Sequence, residues 1–204
     1  MERGSAVLGV LLLVTVPVWP QTKPQASKGR EVLNLYEKFL AIDERFNQME
    51  KRSQQLEKDL KPFLESESAL NQFTGAAMWV GALKVSIPEA RDLAAEEDSI
   101  ITKLVTSSTG LTGDAGRHAD EGIRLLREQH VYVQQGLDRA VRLVEQMTGL
   151  FRSAREDRVA DLPQLWDEEQ FAAELKAIDE LDQKQKLIVA RAKDAFLRVK
   201  AATK

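Results

Sequence analysis

Val32-Leu-Asn-Leu-Tyr-Glu-Lys-Phe39-Leu-Ala-Ile42-Asp-Glu-Arg-Phe46-Asn-Gln-Met49 repeats an apolar residue in alternating steps of three and four. The stripe runs through Val32, Leu35, Phe39, Ile42, Phe46, Met49, Ser53, Leu56, Leu60 and Phe63, and Ser53 is its one polar member. On an α-helix of 3.6 residues per turn these positions share one face. A strand would need strict alternation, which is absent. The pattern therefore predicts a long helix whose seam packs against other helices, with coiled-coil heptad character. Phe39, Ile42, Phe46, Met49, Leu56, Leu60 and Phe63 are the candidate interaction seam.

The same period continues along the chain. Pro62 predicts a break in the first helix, because proline lacks the N–H and clashes with the preceding turn. Leu70, Phe73, Ala77 and Val80 resume the stripe. Gly81 to Ile87 reads as a further break, and Ser86-Ile-Pro-Glu89 as a capping box that starts the next helix. Leu93, Ile100, Ile101, Leu104 and Val105 give that helix its apolar face. Gly110, Gly113 and Gly116 mark the main loop. A third helix carries Ile123, Leu126, His130, Val133, Leu137, Ala140, Val144, Met147 and Phe151. Arg155 to Trp166, with Pro163, reads as another break. The last helix carries Phe171, Leu175, Ile178, Leu181, Ile188, Ala192, Ala195 and Val199, with Gln185 as a gap. The expected fold is all-α: an antiparallel helical bundle or long helical hairpin, with helices over about 30–80 broken near 62, then 87–106, 115–155 and 167–201.

The N-terminus differs from the rest. Arg3 precedes an apolar run from Ala6 to Trp19. A positive segment followed by roughly 7–15 apolar residues is the signal-peptide pattern. As a helix the run would span roughly 21 Å, short of the ~30 Å hydrocarbon core. Residues 1–25 are thus expected to be a signal peptide, with residues 26–204 as a single helical domain. The alternative is an uncleaved anchor formed by residues 6–19, since no Ala-x-Ala triplet follows Trp19.

Composition narrows the function. Six per cent aromatic residues, 30% charged residues, and few glycines and prolines favour helices. The net charge of −3 argues against general nucleic-acid binding, which normally shows a basic excess. The absence of cysteine excludes disulfides, thiolate metal sites and cysteine nucleophiles.

No catalytic or cofactor motif emerges. His118 and His130 are the only histidines. His118 and Glu121 stand one turn apart but lack the Glu-x-x-His pattern of metal sites in bundles. His130 lies on the apolar stripe, where it is expected to pack. The Gly110–Gly116 loop lacks the Gly-Lys-Ser/Thr ending of a phosphate-binding loop. Glu96-Glu97 and Glu168-Glu169 fit exposed or helix-start positions. The last helix is polarised: Asp167–Asp182 holds seven acids and one base, and Gln183–Lys204 holds seven bases and one acid. That order opposes the helix dipole, and it also offers peripheral membrane contact by the basic C-terminal end.

These features point to an exported, periplasmic or secreted, non-enzymatic protein that needs no cofactor. It would work through helix-mediated contacts with a protein partner or with itself, as a scaffold, adaptor or holdase. The competing expectation is a bundle that senses or binds a small molecule, with Ser53, His130 and Gln185 lining the site.

Overall fold

The computed structural model describes residues 22–155 and 168–204. Residues 1–21 of the expected signal peptide, and the expected break from residue 156 to Trp166, lie outside the described residues. The described chain forms helices α1 (Thr22–Leu64), α2 (Ala69–Ser108), α3 (Gly113–Arg155) and α4 (Glu168–Ala202). Among the described residues there is no strand. None of the described helices is long and apolar enough to cross a membrane.

The cross-helix contacts define an antiparallel bundle. Arg45 meets Glu96 and Arg52 meets Glu89, so α1 and α2 run in opposite directions. His130 meets Glu97 while Val144 clusters with Val80, and Arg139 meets Glu174 while Gly122 lies against Phe196, giving the same sense for α2/α3 and α3/α4. Tyr36 stacks on Phe196 and Lys186 reaches Glu50, which closes the ring between α4 and α1. The α1–α4 edge is the least extensive of the four. The molecule is thus two hairpins, α1–α2 and α3–α4, joined mainly through α2 and α3. A 43-residue helix such as α1 is about 65 Å long.

Where the core lies follows from side-chain size. Near the α2–α3 loop, Val32, Tyr36, Phe39, Ile101, Leu104, Leu111, Leu125, Leu126, Ile188, Phe196 and Val199 form one buried cluster drawn from all four helices. At the opposite end a smaller cluster joins α2 and α3 through Val80, Val144 and Met147, with Trp79, Leu83 and Phe151 against it. The first is called here the loop end and the second the tip.

The breaks fall elsewhere than the prolines suggest. Pro62 sits inside the last turns of α1, and the turn comes at residues 65–68. Ser66 organises that turn: its hydroxyl accepts from the Ser68 amide and from Asn71, and its carbonyl accepts from Gln72 Nε2 at 2.7 Å. The expected break over Gly81–Ile87 is absent, because α2 runs through it with Pro88 in its interior. Ser86 caps nothing; its hydroxyl donates back to the Leu83 carbonyl. Buried Val80 on one side and Leu93 and Ala94 on the other hold both flanking turns in the core. Tertiary packing therefore outweighs the local cost of a proline.

The α2–α3 loop is a compact plug. Gly110 and Gly113 adopt positive φ, of 90° and 62°, which lets the chain reverse over Thr109–Thr112. Leu111 turns inward and is buried. Lys28 donates to the Thr109 carbonyl at 2.8 Å, and Gln25 bonds Thr112, so the start of α1 fastens the loop.

Two close approaches depend on glycine. A Cβ on Gly116 would lie 2.6 Å from the Leu111 carbonyl oxygen, and one on Gly122 would lie 2.7 Å from the Phe196 ring. Backbone cannot swing aside as a side chain can. Gly116→Ala is therefore expected to destabilise the bundle by about 1–3 kcal/mol. Gly81 in exposed α2 has open space around it, so Gly81→Ala should be neutral or stabilising by up to about 1 kcal/mol. Urea denaturation of both variants checks this. A neutral Gly116→Ala would contradict the tight loop-to-helix contact.

Candidate functional site

Midway along the bundle the apolar core gives way to a polar layer. Glu97 of α2 has no solvent exposure, and its Oε2 lies 2.8 Å from His130 Nδ1 on α3. Gln129, the residue before His130, is also buried. From α1, half-buried Asp43 faces the same layer and accepts a hydrogen bond from Asn47. Glu97 Oε1, Gln129 Oε1 and, further toward the loop end, the Tyr36 hydroxyl are buried without a hydrogen-bond partner.

The periodicity of α2 explains the placement. Leu93, Ala94, Glu97, Ile101 and Leu104 share one face, so the helix that buries its leucines must bury Glu97 with them. The expectation that Glu96 and Glu97 are both exposed is thus half wrong: Glu96 pairs with Arg45 at the surface, and Glu97 is in the core. A buried carboxylate is costly unless paired, and His130 is the pair.

The layer shifts its own proton affinities. Burial, with the charge of Glu97 added, raises the Asp43 carboxyl from 3.8 to about 6. The hydrogen bond to Glu97 raises His130 above its ordinary 6.5, against the opposing effect of burial, and the charges of Glu97 and Asp98 add to the rise. Burial, and then the charges of Asp43 and Asp194, push the Tyr36 phenol up to about 12.

The seam residues have divided fates. Phe39, Ile42 and Leu60 are buried, and Phe46, Met49 and Leu56 are half-buried. Phe63, the last of the stripe, is 38% exposed. Most of the seam is therefore consumed inside the bundle. Beside Phe63, Leu64 is equally exposed, and both pack on Gly75 of α2. Met78, one turn beyond Gly75, is 51% exposed, and Val85, two turns further, is exposed too. The α1–α2 hairpin tip thus exposes the large apolar side chains Phe63, Leu64 and Met78, of which Phe63 alone belongs to the predicted stripe.

Ser53 is exposed, while His130 and Gln185 are half-buried on α3 and α4. A shallow groove of about 660 Å³ lies between α1 and α2, lined by Leu35, Lys38, Asp92, Glu96, Ile100 and Lys103. It includes none of the three.

His118 lies 3.9 Å from Glu121. Among the described residues no group of three or more His, Asp or Glu side chains could hold a metal ion. The hydroxyls near the loop are committed elsewhere: Ser107 donates to Glu31, and Thr106, Ser108 and Thr109 donate to carbonyls of their own helix. Chemically, the polar layer can bind and release protons and hold α2 and α3 in register.

No protein-family model, curated protein or solved structure matches this chain.

Proposed function

We propose that this protein is an exported, non-enzymatic helical bundle that acts by binding another protein through the tip of its α1–α2 hairpin. The observation that carries the reading is the exposure of Phe63, Leu64 and Met78 together at the α1–α2 turn. Solvent-exposed apolar side chains gathered in one place, rather than scattered singly, mark an interaction surface. Helix α1, about 65 Å long, supplies a rigid support that holds the patch away from the other end. Residues 1–25 act as a signal for export, and the mature helical domain needs no cofactor. An adaptor or scaffold fits better than a holdase, because the patch is confined to one end.

The test is cross-linking in the native cell envelope followed by affinity capture. The protein is compared with a tip variant carrying Phe63→Ser, Leu64→Ser and Met78→Ser. A control variant carries Val131→Ser and Leu187→Ser, at two exposed apolar positions away from the tip. One stoichiometric protein should be captured by the parent and the control and be lost from the tip variant. Retention by the tip variant, or capture of the chain alone, would sink the reading.

A further inference from the structure

At the end opposite the tip, the last turns of α4 carry Arg191, Lys193, Arg198, Lys200 and Lys204, all exposed. Lys193, Leu197, Lys200 and Lys204 follow steps of four, three and four, so they share one side of the helix. Leu197 stands among these cations 54% exposed. Elsewhere in the bundle, Arg45, Arg52, Lys61, Arg124, Arg139 and Lys186 each meet a carboxylate. Among the described residues, none of Arg191, Lys193, Arg198, Lys200 and Lys204 has an ion-pair partner. Complementing the helix dipole accounts for Lys200 and Lys204, but that effect fades beyond the last turn and leaves Arg191 and Lys193 unexplained.

The fold brings a second feature to this end. Gly29 of α1 packs against Thr203 of α4, so α1 begins where α4 finishes. Arg30, exposed on α1, adds a further cation.

We propose that this basic end is a docking surface for the headgroups of an anionic phospholipid membrane. The cations meet lipid phosphates, and Leu197 enters the interfacial region. Net acidity of the whole chain, at −3, disfavours a general polyanion role. An apolar residue, Leu197, exposed among the cations favours a lipid surface over nucleic acid. This surface is independent of the tip. If both act, the bundle stands on the membrane and presents the tip about 65 Å away.

The test is flotation of the full chain with vesicles of phosphatidylcholine alone or of phosphatidylcholine mixed with phosphatidylglycerol. The neutral vesicles report binding by the apolar N-terminal run, and the difference between the two reports the basic end. Binding should favour the anionic vesicles and weaken with added salt. Lys193→Glu, Lys200→Glu and Lys204→Glu together should remove the preference, by roughly a hundredfold at about fivefold per cation. A control, Lys51→Glu with Lys58→Glu, reverses exposed cations toward the other end and should leave it intact. Equal binding to both vesicle types, or an unchanged preference in the triple variant, would overturn the proposal. So would equal loss in the control. Binding to soluble heparin as strong as to anionic vesicles would overturn it in favour of a non-lipid polyanion.

Discussion

Phe39→Ala should lower the unfolding free energy by about 3–5 kcal/mol, while Phe63→Ala, in the same heptad stripe, should cost under about 1 kcal/mol. Phe39 has no exposed surface and lies in the cluster drawn from all four helices. Its ring stacks on Tyr36 at 6.3 Å between centroids, and Tyr36 stacks in turn on Phe196 at 4.1 Å. Removing it leaves a cavity between α1 and its neighbours that a close-packed core fills only partly. Phe63 is 38% exposed and loses contacts chiefly with its neighbours at the turn. Against a total stability of about 5–15 kcal/mol, the first change is large and the second small. Urea denaturation followed by circular dichroism reads both. Equal effects would mean that the stripe is uniformly core, and would remove the reason to treat Phe63 as surface. A reversed order would refute the packing described here.

The contrast between these two phenylalanines shows what the sequence could express. Spacing in threes and fours identified the helices and the face each one buries, because amphipathic period is a local property. It could not say where along a face burial ends, since that depends on how far the neighbouring helices extend. The turns were misplaced for a related reason. Pro62 and Pro88 carry a strong local signal against helix, yet both lie inside helices, while the turn at residues 65–68 rests on Ser66 and its hydrogen bonds. Glu97 was legible in principle: it falls on the period of Leu93, Ala94, Ile101 and Leu104. Its charge suggested a solvated position, and only its partner His130, 33 residues away, explains its burial. Asp43 gave no such signal, since its environment comes from α2. The unpaired cations of α4 were visible as a charge run, but their closeness to the start of α1 is a product of the fold.

The bundle should be more stable at mildly acidic pH than at mildly alkaline pH, with the polar layer as the cause. Asp43 binds its proton more tightly in the folded protein, at about 6 against 3.8. Its contribution is therefore fully present below 3.8 and is lost as pH rises through about 6. His130 is raised above 6.5, so its contribution is present below 6.5 and is lost as pH rises through the higher folded value. The two act in the same direction. The charged groups around them are Asp43 and Glu44 on α1, Glu97 and Asp98 on α2, and, on α4, Asp194, which acts with Asp43 on Tyr36. Lys186 of α4 is engaged by Asp182 and Glu50. Three other groups titrate outside this window. Lys186, raised above 10.5 by its hydrogen bonds to Asp182 and Glu50, loses its contribution only as pH rises beyond 10.5. Asp114, held low by Arg117, loses its contribution only as pH falls below 3.8, and Tyr36 loses its own only as pH rises from 10 toward about 12. For Asp43 the change corresponds to at most about 3 kcal/mol at 1.36 kcal/mol per pH unit, which solvent at a half-buried carboxyl reduces to roughly 1–2 kcal/mol. The urea midpoint should accordingly fall between about pH 4 and about pH 8. Asp43→Asn, neutral throughout, should flatten that fall and be more stable than the parent at the alkaline end. Glu97→Gln should lower the His130 titration midpoint, read by NMR, because the charge that favours the imidazolium is gone. A urea midpoint that rises across this range, or an Asp43→Asn variant with the parent's full slope, would show that proton binding in this layer does not govern how tightly the two hairpins are held together.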